Sequence, residues 1–314
     1  MKFGKKARKI NMCGLFGFSK YGTDKIKDLS DLTNSLAREA AQRGTDATGI
    51  AYCNAGRINV LKSSNAAYDV KFKHDDLTAL IGHTRHSTQG SEKKNYNNHP
   101  FYGSCKNARF ALAHNGVLIN DCTLKREMHL PKTKIETDSY VAVQLIEHKQ
   151  KLDFGSIKFM AEKVHGSFNF SILDDADNVY LVKGDSPLSI LHFPKQKIYV
   201  YASTEEILYR ALVSSPLFKA IKNHEFKEVE ISDGEILKIR PDGRIKKVTF
   251  EYRDYCGSSW YDYGFSDSKE YIRDLKNAAA IEGYSPEMID ELLCRGFTPE
   301  EIEDYIYCRY GGEV

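Results

Sequence analysis

No two cysteines are spaced as CxxC, no apolar run approaches the length of a membrane span, and neither sign of charge dominates the chain. Each absence removes a class of protein. The seven cysteines, at positions 13, 53, 105, 122, 256, 294 and 308, are an odd and scattered set. Secreted domains stapled by disulfides carry dense, even sets, and structural zinc sites carry paired spacings, so a reducing compartment and no metal are the expectation. No stretch reaches the roughly 20 apolar residues that cross a bilayer. The apolar residues behind the basic start, Met12 to Phe18, contain two glycines and run into Ser19-Lys20, too short for a secretory core. A cytoplasmic protein without membrane contact is expected. Lys and Arg total 45 against 43 Asp and Glu, a net charge of +2. Lys2, Lys5, Lys6, Arg8 and Lys9 crowd the first twelve positions, and without them the rest carries −3. Basic charge confined to a short tail, rather than spread over a folded face, argues against a nucleic-acid partner.

What remains is an ordinary globular composition, 41% hydrophobic and 28% charged over 314 residues, enough for one large domain or one large and one small. A short buried strand is expected at Cys13–Phe18. A helix follows with Leu29, Leu32, Leu36 and Ala40 on one face behind Ser30 as N-cap. Further strands are expected over Gly49–Leu61 and Leu77–His83, then a polar loop from Ser87 to Tyr102. Phe110–His114 reads as a strand ending at a tight Asn115-Gly116 turn. A helix spans Asp138–Lys149, and strands are expected near Ser167–Leu173, Asn178–Lys183 and Ile198–Tyr201. Ser203-Thr204-Glu205-Glu206 has capping-box spacing. Pro241-Asp242-Gly243 joins two strands as a hairpin. The domain limits that follow are 1–12 as a basic extension or propeptide, 13–252 as a layered α+β domain, 253–268 as an aromatic linker, and 269–314 as a small helical module. In that module Gly283-Tyr284-Ser285-Pro286 is echoed by Gly296-Phe297-Thr298-Pro299, each with a cap followed by proline at the first helical position.

One constellation carries chemistry. A buried cysteine such as Cys13 is most often inert packing. Its company changes that reading: Arg43-Gly44-Thr45-Asp46, then Gly82-His83-Thr84-Arg85-His86-Ser87-Thr88-Gln89-Gly90, Asn97-Asn98-His99-Pro100, His114-Asn115-Gly116 and Glu136-Thr137-Asp138. In this order the five motifs resemble the glutaminase domain of class II glutamine amidotransferases, which are N-terminal-nucleophile (Ntn) hydrolases. The resemblance covers about residues 13–250.

It implies a four-layer αββα Ntn-hydrolase sandwich and hydrolysis of L-glutamine to glutamate and ammonia without a cofactor. It further implies that Cys13 is the nucleophile, with its own α-amine as base once free, a group that titrates near pH 7.7–8. Asn115 and the Gly116 N–H would form the oxyanion hole, Arg85 would grip the glutamine carboxylate, and Asp138 would hold its ammonium. Thr88 would sit on a loop that closes over glutamine. Arg43 and Asp46 would support the site through an ion pair. His83, His99 and His114 fit structural hydrogen bonding better than a metal cluster. His86 stands where glucosamine-6-phosphate synthases carry Trp.

Twelve residues precede Cys13, so an active N-terminal cysteine requires translation from Met12 or cleavage of the tail. Nothing after residue 250 resembles an acceptor domain, so a separate ammonia-accepting synthase subunit is the expected partner. The readings left open are an N-terminal-cysteine acylase acting on another amide, and a non-catalytic glutamine- or partner-binding protein that retains its extension.

Overall fold

The computed structural model describes residues 13–252 apart from 75, residues 269–294 apart from 282, and positions 299, 302, 303 and 306. The extension 1–12 and the aromatic linker 253–268 lie outside the described residues. The first half of the chain forms β1 (Gly14–Lys20), α1 (Leu29–Ala40), β2 (Ala47–Asn54), β3 (Arg57–Ser63), β4 (Ala79–Arg85), β5 (Phe101–Ser104), β6 (Arg109–Leu118), α2 (Asp121–Glu127), α3 (Tyr140–His148) and α4 (Phe154–Lys163). The second half forms β7 (Gly166–Asp174), β8 (Val179–Lys183), β9 (Ser189–Phe193), β10 (Ile198–Ala202), α5 (Glu205–Val213), α6 (Phe218–Lys222), β11 (Lys227–Glu228), β12 (Glu235–Ile239), β13 (Ile245–Thr249), α7 (Lys269–Ile281) and α8 (Pro286–Cys294).

Two antiparallel sheets stack face to face. One runs β11-β9-β10-β1-β4-β2-β3 and the other β13-β12-β8-β7-β6-β5. The period-2 pattern of the strands assigns each face. In β1, Leu15 points between the sheets, whereas Phe16 and Phe18 join the helices α1, α5 and α6 over the first sheet. In β6, Ala111 and Ala113 point between the sheets, whereas Phe110 and Leu112 pack under α3 and α4. The result is the αββα sandwich, with three apolar layers separating four layers of structure.

Several local expectations are corrected. Asn115-Gly116 is no turn: β6 runs straight through it, pairing Asn115 with Asn169 and Gly116 with Phe168 of β7. Nine paired residues outweigh a two-residue turn preference. Gly49–Leu61 is a hairpin rather than one strand, reversed at Ala55 and Gly56, both at positive φ. The first helix is preceded by Asp28 in a left-handed conformation, and Ser30 lies inside the helix. Ser203 is not the cap of α5. Its hydroxyl accepts from the Leu15 N–H at 2.7 Å, and Thr204 caps the helix by accepting from Ile207. The helices α2, α4 and α6 and the strands β5, β9 and β11 had no place in the sequence reading, and β5 begins within the stretch expected to be loop.

Beyond residue 268, α7 and α8 form where the pattern placed them, and the Ser285 hydroxyl caps α8 by accepting from Met288. Leu275, Ala279, Ile289, Ile302 and Ile306 share a small core of their own. The helix repeated from Thr298 falls mostly outside the described residues. Among the described residues, no helix is long and apolar enough to cross a membrane.

Candidate active site

The site sits where β1 begins and β4 ends, beside the later residues of β6, between the sheets. Cys13 directly precedes β1, and Gly14 pairs with Thr84 of β4, so the cysteine reaches the level of Arg85. On β4 the inward parity set by Ala79 and Ile81 continues through His83 to Arg85. On β6 the inward parity of Ala111 and Ala113 continues to Asn115. Strand geometry alone therefore brings Cys13, Arg85 and Asn115, from 30 to 102 positions apart in sequence, toward one end of the inter-sheet space.

The Cys13 thiol lies 3.5 Å from both the carbonyl and the N–H of His86. Burial pushes it up to about 11, against the opposing pull of the His86 contact and the nearby Arg85 and Arg43. Such a thiol is protonated at neutral pH and needs a base to react. Arg43 donates Nε to the Cys13 carbonyl at 2.8 Å and so fixes the residue's backbone. Arg43 and Asp46 do not pair with each other. Asp46 instead accepts from the Ser87 N–H at 2.7 Å, with His86 Nδ1 3.9 Å away, which sets the start of the following loop.

Arg85 organises that loop. Its guanidinium donates to the carbonyls of Gln89 at 2.5 Å and Gly90 at 2.7 Å, and to Asn98 Oδ1 at 2.7 Å. Three of five N–H groups are thus engaged, leaving two. Asn98 in turn donates to Glu92 and Asn95, and Asn97 donates to Ser91 and Glu136. Thr88 stands exposed on the loop, outside this network.

Asn115 is fully buried, and neither its amide nitrogen nor its amide oxygen has a partner among the described residues. Unpaired buried amides are costly and uncommon, so this one marks a place for chemistry. Gly116 follows with φ of 140°, and a Cβ there would strike the Ser167 carbonyl. Only glycine serves.

Asp138 is 4% exposed. Its carboxylate accepts from the Leu118 N–H at 2.6 Å and the Ser139 hydroxyl at 3.2 Å. Burial, with the Asp121 charge behind it, raises its carboxyl from 3.8 to about 6 despite those bonds.

The histidines are structural neighbours of the site. His83 bonds the His114 carbonyl through Nε2 at 2.9 Å, and His114 bonds Ser139 and stacks on Phe170. Burial drives His83 and His114 down to about 3 and His99 well below its usual value, so all three are neutral at working pH. His99 packs its ring on His83 at 4.2 Å and on Phe101 at 4.4 Å. Among the described residues the only cluster with metal-ligand spacing is elsewhere, at Asp121, Cys122 and Asp274.

Two participants had no role assigned from sequence. Asn98 was quoted only as part of a motif, yet it holds Arg85. Lys62 lies with its ammonium 4.8 Å over the Phe101 ring, and burial beside Arg85 lowers it to about 8. No spacing rule announces a lysine that arrives on the neighbouring arm of a hairpin.

Residues 83–210 match the family described as glutamine amidotransferase domain. Over 244 residues the chain is 33% identical to glutamine–fructose-6-phosphate aminotransferase (isomerizing) of Staphylococcus aureus, an alignment covering 74% of this chain and 38% of that protein. The protein of the same name from Streptococcus agalactiae is 33% identical over 190 residues, covering 57% of this chain and 30% of the relative. The chain therefore spans well under half the length of these curated relatives. Its fold matches glutamine phosphoribosylpyrophosphate amidotransferase from B. subtilis with a TM-score of 0.60 at 23% identity, over 77% of this chain and 50% of that one. By family match, sequence identity and fold together, the chain carries a glutamine amidotransferase domain of the class II, Ntn type.

Proposed function

We propose that this domain hydrolyses L-glutamine to glutamate and ammonia, with Cys13 as nucleophile. The observation that carries the reading is Asn115: a fully buried amide without a partner among the described residues, beside a glycine position that admits no Cβ, on the same inward face of β6 as Ala111 and Ala113. In the reaction the free α-amine of Cys13 takes the thiol proton. The thiolate attacks the glutamine amide carbon, and Asn115 and the Gly116 N–H stabilise the oxyanion. Collapse expels ammonia, which leaves with the proton held by the amine, and water then cleaves the thioester. Arg85 receives the substrate carboxylate on its two remaining N–H groups, and Asp138 receives the ammonium. Thr88 lies on the loop that covers the bound amino acid. Arg43 and Asp46 position Cys13 and the loop, and His83 and His99 fill the space behind them.

The base is available only when the peptide bond between Met12 and Cys13 is absent. Ammonia then passes to a separate ammonia-accepting synthase subunit. The relatives' names join glutamine to a fructose phosphate, which makes a phosphosugar synthase one class of acceptor.

Expression from Met1 and from Met12, with intact mass and glutamate release measured on each, tests the mechanism. Activity is expected only in chains that begin at Cys13 and not in Cys13→Ala. Equal turnover by a chain that retains residues 2–12 overturns the role of the α-amine. A substrate panel in which acyl amides outpace glutamine overturns the substrate.

A further inference from the structure

The helices α2 and α7 meet through a polar contact. Asp121 opens α2 and Asp274 lies on α7, at 0% and 1% exposure. One oxygen of each is engaged. Asp121 Oδ2 accepts from Lys125 at 2.5 Å and lies 3.8 Å from the Arg273 guanidinium. Asp274 Oδ2 accepts from the Thr123 hydroxyl at 3.3 Å. The other oxygen of each, Oδ1, is buried with no hydrogen-bond partner among the described residues. One oxygen from each aspartate and the Sγ of half-buried Cys122 lie within 4.8 Å of one another.

Two facing carboxylates withdrawn from water cannot both stay ionised without positive charge between them. Lys125 and Arg273 both serve Oδ2 of Asp121, and neither aspartate's Oδ1 has a partner among the described residues. Glutamine hydrolysis makes no use of the group. We propose that Asp121, Cys122 and Asp274 form a site for a zinc-class divalent cation that pins α7 to α2.

The donor set chooses the class of ion. The flanking Lys125 and Arg273 offset much of the aspartates' charge, so a hard ion held by charge alone, such as magnesium or calcium, gains little. A thiolate adds bonding that a borderline-soft ion exploits, and Cys, Asp and Asp leave a fourth position for water. Zinc–ligand distances of about 2.0–2.3 Å put tetrahedral donors roughly 3.5 Å apart, so the three atoms need to close by about 1 Å. The bonds from Lys125 and Thr123 orient the two carboxylates from outside, as an outer shell does.

The test uses the full chain stripped with EDTA, reloaded with zinc, passed through gel filtration and analysed for bound metal. One equivalent per chain is expected. Asp274→Asn keeps the side chain's size and its acceptor for Thr123 while relieving like-charge repulsion, so it folds. It should weaken zinc at least about tenfold, as should Cys122→Ser. Cys13→Ala should retain the ion, and cobalt in place of zinc should show a thiolate charge-transfer band that Cys122→Ser abolishes. Failure of the native chain to retain zinc overturns the site. So does zinc lost with Cys13→Ala and kept in Asp274→Asn, which would place the ion on the reactive thiol.

Discussion

Replacing Asp138 by asparagine removes one charge from a group that is 4% exposed and already bonded to Leu118 and Ser139. Folding raises this carboxyl from 3.8 to about 6, mainly through burial. The unfolded chain releases the proton above 3.8, whereas the folded chain keeps it to about 6. Stability present below the unfolded value is therefore lost as pH rises through the folded one. Two pH units correspond to about 3 kcal/mol at full range. Asparagine keeps the acceptor for Leu118 and cannot ionise, so it escapes the loss. Urea unfolding of both proteins between about pH 4.5 and 7.5 covers most of that window, and the Asn variant should gain about 2 kcal/mol on the native chain across it. The raised carboxyls at Asp177 and Asp274 cancel in the comparison, because both proteins contain them. A difference that stays flat with pH would refute the reasoning. The same substitution should raise the KM for glutamine by about 30-fold, the worth of a charged hydrogen bond near 2 kcal/mol. Greater stability with lost affinity is the signature of a charge kept for function.

Other outcomes follow from the same geometry. Asn115→Ala should lower kcat by about 100–1,000-fold with little change in KM, measured by glutamate release, because it removes one oxyanion donor. Asn98→Ala should raise KM several-fold and leave kcat nearly intact, since it frees Arg85 to reorient without touching the reacting atoms. Gly116→Ala should destabilise the fold by several kcal/mol in denaturant titration, through positive φ and the clash with Ser167. Below about pH 6 kcat/KM should fall more steeply than protonation of the α-amine alone imposes, as Asp138, in the proposed role, takes up its proton and can no longer pair with the ammonium.

The parts of the fold readable from sequence were those with strong local periodicity. The helix pattern of Leu29, Leu32 and Leu36, the Pro241-Asp242-Gly243 hairpin and the Ser285-Pro286 helix start all lie where local chemistry put them. The motif order likewise pointed to the residues that β1, β4 and β6 bring together. What failed was decided by partners distant in sequence. Asn115-Gly116 carries a turn signature, but pairing along β7 keeps it extended. Ser203 looks like a helix cap, but the Leu15 N–H, 188 positions away, claims its hydroxyl. Arg43 and Asp46 invite an ion pair, yet each serves backbone instead. Lys62 acquires its depressed titration only from Arg85 and the burial around it. Spacing rules cannot see such competition, because the rival donor or acceptor is absent from the local window.

Under the proposed function, the guanidinium that latches the loop through Gln89 and Gly90 is also the receptor for the substrate carboxylate. Opening the loop would release the fork, and reorienting the fork would release the loop, so neither event is thermodynamically independent of the other. Protection of the 87–98 amides against hydrogen exchange and affinity for the amino acid should therefore rise and fall together. A second protein that seats on the outer side of this loop would then govern occupancy of the cleft without reaching into it, and the cleft's occupant would report back on that protein's grip by the same free energy.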